Sequence, residues 1–286
     1  MIRNSAGIRI VSPEINADDS SGDMMRKPVG IASCPRKKGM PMLIAFISDI
    51  HGNLPALKAA VADAKGRGAG RIVCCGDMTG YGPFPGDVCN FLEKLHIPAI
   101  IGNYDQKVLE AAKQGKSVAR EMKSKKRKIL LWTVENMGRQ SRLYLAGLPE
   151  RLDLQIPAGG HKFLVVHGSP ISTDDAIYPS ITRQGLETKL SDACPEILVC
   201  GHTHIPFVRR VGGILVVNCG SAGHPVDGDP RPSYALVRAE RGAVPRGCII
   251  RFDYDRDLTI TALKKISLPK GLRKDFSEGI KRRFIE

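Results

Sequence analysis

From Met42 onward the chain repeats one unit: a short apolar, β-rich run stops at an Asp, Asn or His and is followed by a helical stretch. Met42 to Ser48 leads into Asp49-Ile50-His51-Gly52-Asn53 and an Ala/Leu helix from about Leu54 to Lys65. Arg71 to Cys75 leads into Gly76-Asp77, a Gly/Pro-rich loop to Gly86 and a helix from about Asp87 to Leu95. Pro98 to Ile101 leads into Gly102-Asn103-Tyr104-Asp105 and a helix beginning near Asp105. Consecutive strand-loop-helix units predict a parallel sheet with helices on its faces, because right-handed crossovers return each strand beside its predecessor. Phe163 to Val166 and Ile197 to Cys200 read as two more strands, ending in His167-Gly168 and Gly201-His202-Thr203-His204. Loops at the carboxyl ends of such strands converge on one crevice, so these polar groups are expected along one sheet edge. Beyond them, Phe207 to Arg210, Ile214 to Asn218, Tyr234 to Ala239 and Cys248 to Tyr254 read as hairpin strands of a second, partly antiparallel sheet.

The loops offer seven oxygen and nitrogen donors: Asp49, His51, Asp77, Asn103, His167, His202 and His204. The two-residue spacing of Asp49 and His51 would place both side chains on one side of an extended backbone. Gly76 lets the chain turn tightly so that the Asp77 carboxylate faces the crevice, and its two oxygens could bridge two cations. Taken singly, His167 reads as an ordinary hydrogen-bonded histidine. As an ordered set at strand ends, the donors predict a site for two divalent cations, and such a site hydrolyses phosphate esters.

The stretches SDIHGNLPAL, CCGDMTGYGPFPGDV, GNYD, LLWT leading to GLPERL, VVHGSP, CGHTHIPF and NCGSAGHPVDGDPRPSYAL resemble those of the calcineurin-like metallophosphoesterases, in particular the small bacterial and archaeal phosphodiesterase branch. The resemblance spans about residues 42 to 265. It implies an α/β fold, a four-layer α/β/β/α sandwich of two mixed sheets flanked by helices, with the dinuclear centre between the sheet edges. It assigns Asp49, His51 and His204 to a first metal, Asn103, His167 and His202 to a second, and Asp77 to both. It further implies attack by a metal-bridging hydroxide, with Asp77, Asn103, Asp105 and His202 as catalytic residues, and it makes Asn218 part of a turn that buttresses the metal loops. Many relatives carry His where this chain has Tyr104, next to an Asp that orients it. Tyr104 is a poor proton donor to an alkoxide at neutral pH. Leaving groups of low pKa are therefore expected, with His224 read either as a replacement acid or as an exposed loop histidine.

At 286 residues the chain is long enough to bury a real core. Residues 1–41 lack helical or strand periodicity and read as a disordered extension, leaving 42–286 as a single catalytic domain with a basic C-terminal tail. The apolar runs fall well short of the roughly 20 residues needed to span a bilayer, and the N-terminal stretch lacks the pattern of a secretory signal, so no membrane association and a cytoplasmic location are expected. Eight cysteines without a CxxC pair or regular spacing fit reduced thiols. A formal charge of +14 favours anionic partners, a small phosphorylated substrate first. The basic Ala111 to Leu131 stretch, helix-compatible and read as a solvated helical face or a mobile loop, and Lys270 to Arg283 leave open a nucleic-acid role, although no aromatic is interleaved in the former to stack on bases. Imidazole, amide and carboxylate donors suit Mn, and equally Fe, Ni, Co or Zn. Two other functions fit the same residues: a nucleotide pyrophosphohydrolase of the diadenosine polyphosphate type, and a non-catalytic metal-binding scaffold.

Overall fold

The computed structural model describes residues 8–9, 42–115, 123–155 and 160–279. Two sheets face each other. The four-stranded one runs β10(Arg246–Arg251), β9(Ser233–Ala239), β2(Met42–Ile47), β3(Arg71–Cys74), with β2 and β3 parallel and the other pairs antiparallel. The six-stranded one runs β1(Ile8–Arg9), β4(Arg151–Gln155), β5(Lys162–Val166), β6(Ile197–Cys200), β8(Ile214–Asn218), β7(Phe207–Val211), with β5, β6 and β8 parallel.

The period-two alternation of the strands builds the layers. On β2, Ile44 and Phe46 point between the sheets, where they meet Phe163, Val165, Val199 and Val217. Ala45 and Ile47 point the other way and pack with α1(Leu54–Gly66), α2(Pro85–Lys94), α3(Asn103–Gln114), α4(Ser124–Glu135), α5(Arg139–Ala146), α7(Arg256–Lys264) and α8(Gly271–Glu278). On the far side of the six-stranded sheet, Leu164, Leu198 and Val216 are covered by Leu186 and Leu190 of α6(Arg183–Leu190). The layers are thus helix, sheet, sheet, helix. Among the described residues no helix is long and apolar enough to cross a membrane.

Several sequence expectations are corrected. Pro98 to Ile101 is no strand: it contributes a single parallel bridge, Cys74 to Ala99. The parallel units do not extend through one sheet, because β5 and β6 are the centre of the second sheet and the β7–β8 hairpin joins them there, while β9 returns to pair with β2 from Met42↔Ala239 to Phe46↔Ala235. Strand pairing is a long-range choice that local hydrophobic patterns do not encode. In the Ala111 to Leu131 stretch, α3 stops at Gln114 and α4 begins at Ser124. In the basic C-terminal stretch, α8 is packed rather than a tail, with Leu272 and Phe276 buried. Apart from the Ile8–Arg9 backbone, which pairs with Leu154 and Asp153, the readings of residues 1–41, 116–122 and 280–286 lie outside the described residues.

Candidate metal centre

The carboxyl ends of strands from both sheets meet at one place, rather than along the edge of one. Asp49 and His51 follow β2, Asp77 follows β3, and Asn103 opens α3; from the other sheet come His167 after β5, then His202 and His204 after β6. The loops interlock through backbone hydrogen bonds, Asp49 N–H to the Gly76 carbonyl (3.0 Å), His51 N–H to that of Asp77 (3.0 Å) and Gly201 N–H to that of His167 (2.9 Å).

The Asp49–His51 pair does not sit on extended backbone. Asp49, His51, Asp77, His202 and His204 have φ of 53°, 49°, 51°, 65° and 58°, the left-handed region that costs a non-glycine residue on the order of 1–3 kcal/mol. Tight left-handed turns, not strand alternation, aim these side chains inward, and the interlocked loops hold them there. Close approach also requires glycine at two positions. A Cβ on Gly201 would lie 1.9 Å from Ser48 Oγ and 2.5 Å from Asp49 Oδ2, and one on Gly102 would lie 2.2 Å from Asp77 Oδ1.

Three imidazoles share one arrangement. Nδ1 of His51 faces the Thr79 carbonyl at 2.9 Å, that of His167 the Cys75 carbonyl at 2.8 Å and that of His204 the His224 carbonyl at 2.6 Å. A carbonyl only accepts, so each Nδ1 carries a proton and each ring points its Nε2 into the site, where the neutral form offers a lone pair. There, His51 Nε2 lies 3.1 Å from His204 Nε2 and His167 Nε2 lies 3.1 Å from Asn103 Oδ1. Asp49 Oδ1 is buried and receives no hydrogen bond among the described residues; its neighbours are His204 Nε2 at 3.2 Å and His51 Nε2 at 3.8 Å. Asp77 spans the site, with Oδ2 3.6 Å from His51 Nε2 and Oδ1 3.5 Å from His167 Nε2. Imidazole nitrogens and carboxylate and amide oxygens converging at these distances are the donor types that hold divalent cations. Two sets, Asp49/His51/His204 and Asp49/Asp77/His167, bring their ligand atoms within 4.8 Å of one another.

Electrostatics follow this layout. Burial alone would raise the Asp49 carboxyl, but His204, His167 and His51 hold it below its ordinary range. Burial pushes His51 down to about 4 against the pull of Asp77, whereas at His167 the Asp77 carboxylate overcomes burial and pushes the ring up to about 10. His202 is lowered by burial and by His167, whose ring centroid is 5.3 Å away; the His202 backbone N–H donates to Asp49 Oδ2 at 2.9 Å.

The remaining predicted residues surround the donors. The Asp105 carboxylate accepts from the amides of Met78 (3.2 Å), Thr79 (3.0 Å) and Gly102 (3.2 Å) and from Thr79 Oγ1 (2.7 Å), so it braces the Asp77 loop. Burial, with Asp77 nearby, pushes it up to about 6. Tyr104 donates its backbone N–H to Asp77 Oδ1 at 2.8 Å, while its buried hydroxyl makes no hydrogen bond among the described residues and burial raises it well above its ordinary range. Asn218 Nδ2 donates to the Gly201 carbonyl (2.8 Å) and Thr203 Oγ1 (3.0 Å), tying the His202–His204 loop to the end of β8.

His224 is not an exposed loop residue. It is buried, stacked on Tyr81 at 5.0 Å, packed on Phe276 of α8 at 4.9 Å, and 5.8 Å from both His51 and His204. Its replacement by Ala should therefore cost about 2 kcal/mol through the cavity left behind; a His224→Ala variant matching the parent in urea unfolding would refute this packing role.

Sequence reasoning missed the residues that hold the ligands. Ser221 Oγ donates to the Asp49 carbonyl (2.7 Å), and Asn53 Nδ2 donates to that of Gly223 (2.8 Å). Asp174 accepts from Asn103 Nδ2 (2.7 Å). Asn53 belongs to the Asp49–Asn53 loop and Ser221 to the Asn218 turn, but no spacing marks either role, and Asp174 lies in none of the motifs.

The family model for the calcineurin-like phosphoesterase superfamily domain matches residues 42–242. An uncharacterized protein of Methanocaldococcus jannaschii is 29% identical over 247 residues, covering 80% of this chain and 95% of that protein. The phosphodiesterase YfcE of Escherichia coli strain K12 is 25% identical over 196 residues, covering 68% of this chain and 87% of YfcE. Among solved structures, a metallophosphoesterase from Sphaerobacter thermophilus superposes with a TM-score of 0.69 at 28% identity, covering 84% of this chain and 100% of the other. A hypothetical protein from Pyrococcus horikoshii OT3 does so at 0.74 and 26%, covering 84% and 99%. With the family's domain spanning the four layers and the convergent donors, the chain belongs to the calcineurin-like phosphoesterase superfamily and is a metal-dependent phosphoric ester hydrolase.

Proposed function

We propose that this chain is a phosphodiesterase acting on small phosphorylated substrates with two divalent cations. Asp49, His51 and His204 would hold one, Asn103, His167 and His202 the other, and Asp77 both. The observation that carries this reading is the convergence of two imidazoles anchored through Nδ1, His51 and His167, on the two ends of the Asp77 carboxylate, with the likewise anchored His204 on Asp49. Bound there, divalent cations supply activation of water and polarisation of the phosphoryl oxygens. Manganese is the first metal to test, since the donors are imidazole, amide and carboxylate. The thiols of Cys75 and Cys219 lie below the loops with Sγ atoms 4.0 Å apart; reduced cysteines suit a cytoplasmic setting.

The protein's own groups position and insulate. Asp105 and Asn218 fix the loops from behind, and the left-handed turns of Asp49, His51, Asp77, His202 and His204 keep the donors in place before substrate arrives. The weak point is protonation of the leaving oxygen. Burial keeps the Tyr104 hydroxyl protonated and makes it a reluctant acid. Departure then depends on the leaving group itself, so the reading favours aryl diesters.

The test is metal analysis of the purified protein, then kinetics on a substrate panel in Mn²⁺. The expected result is uptake of two ions per chain and a kcat/KM for an aryl diester at least about 100-fold above that for an alkyl monoester, a bias of about 3 kcal/mol. Equal values for the two substrates would sink the leaving-group argument, and failure to hydrolyse any phosphate ester would sink the functional reading.

A further inference from the structure

Asn103 is the one expected ligand whose donor atom is not fixed by its own chemistry. Its amide presents an oxygen or an NH₂ depending on a rotation of about 180°, and only the oxygen can bind a cation. Locally, the wrong orientation is attractive. The His167 Nδ1–H is given to the Cys75 carbonyl, so the ring presents Nε2 to Asn103 from 3.1 Å, and in the neutral form that a metal ligand requires Nε2 carries a lone pair. A flipped amide would donate its NH₂ to that lone pair and close the site with an internal hydrogen bond.

Something must oppose the flip, and the structure supplies it from the loop after β5. Asp174 Oδ1 accepts from Asn103 Nδ2 at 2.7 Å, and the same oxygen accepts from Lys107 Nζ at 2.7 Å. Asn103 and Lys107 are one helical turn apart on α3, so both reach the same carboxylate. Thr173 Oγ1 donates to Gln106 Oε1 at 2.7 Å and fastens the neighbouring residue of the loop to the same helix. A flipped Asn103 would set its oxygen against the Asp174 carboxylate, two acceptors at hydrogen-bond distance.

We propose that Asp174 is a positioning residue that holds the Asn103 amide with its oxygen toward His167, and so makes Asn103 competent as a metal ligand. This rests on the reading of Asn103 as a ligand of the second cation. Asp174 itself touches no donor atom of the site other than through Asn103. Its side chain is 64% exposed, so its pairing with Lys107 contributes little to folding.

The experiment titrates the metal-free full-length protein with Mn²⁺ by calorimetry, following the parent, D174A, D174N and K107M, with the thermal midpoint of each metal-free protein as a second reading. D174A should weaken one of two binding steps by about 10–100-fold, the usual range for a residue that orients a ligand, and leave the other step and the metal-free midpoint unchanged. D174N should stay within about threefold of the parent, because its amide oxygen, selected by the Lys107 ammonium, still accepts from Asn103. K107M should also bind both ions, since Asp174 keeps its contact with Asn103.

Equal weakening in D174A and D174N would assign the effect to charge rather than positioning and overturn the proposal. Parental binding in D174A would overturn it as well, as would a D174A variant that loses both steps together with its metal-free midpoint. A parent protein that takes up no Mn²⁺ would instead remove the reading on which the proposal rests, and the proposal with it. An N103A variant separates the two failures: if it keeps both binding steps, Asn103 is not a ligand, while the other six donors are still in question.

Discussion

Replacing Asp77 by Asn is expected to lower kcat/KM at least about 10³-fold while leaving the fold in place. The carboxylate is where the two halves of the site meet: one oxygen lies 3.6 Å from His51 Nε2, the other 3.5 Å from His167 Nε2 and 2.8 Å from the Tyr104 N–H. An amide keeps one oxygen, enough for the Tyr104 contact, but turns an NH₂ toward one imidazole and removes the negative charge that favours cations there. A loss of 10³ corresponds to about 4 kcal/mol of transition-state stabilisation, which is the scale of removing a preorganised charge from a water-excluded site. The measurement is kcat/KM on an aryl phosphodiester together with metal content and circular dichroism. More than about a tenth of the parental activity in a metal-loaded Asp77→Asn variant would mean that this carboxylate is not the shared ligand.

Phe46→Ala is expected to lower the unfolding free energy by about 3–5 kcal/mol. Phe46, fully buried, stacks on Phe163 with ring centroids 5.8 Å apart and an interplanar angle of 28°. The pair crosses the seam between the sheets, since Phe46 lies on β2 and Phe163 on β5. Truncating it opens a cavity in the layer that holds the two ligand-bearing sheets together. For a domain of this size the midpoint should fall by roughly 10 °C, and metal affinity should fall with it because the ligands are divided between the sheets. Urea unfolding followed by circular dichroism decides the matter; a loss below about 1 kcal/mol would show that the interface repacks around the gap.

The donors themselves were legible in the amino-acid order. Each of Asp49, Asp77, Asn103, His167, His202 and His204 follows an apolar stretch that ends abruptly, and that ending places a side chain at a sheet terminus whatever the rest of the chain does. What was misread is how they are held. Asp49 and His51 were expected to share a face of extended chain, whereas φ of 53° and 49° put them in left-handed turns. A strained turn survives only where the surroundings over-determine it, and those surroundings come from residues remote in sequence. His224 was misjudged for the same reason: its burial is created by Tyr81 and by Phe276 of α8.

By itself, then, the sequence determined the repeating local units, the identity of the donors and their presence at strand ends, because hydrophobic periodicity and ligand chemistry are carried by neighbouring residues. Tertiary structure alone decided that the donors come from two facing sheets rather than one edge, that β9 returns to β2, and that Asp105, Ser221 and Asp174 brace the site. Those are contacts between residues far apart in the chain, and their geometry exists only after long-range pairing has closed both sheets.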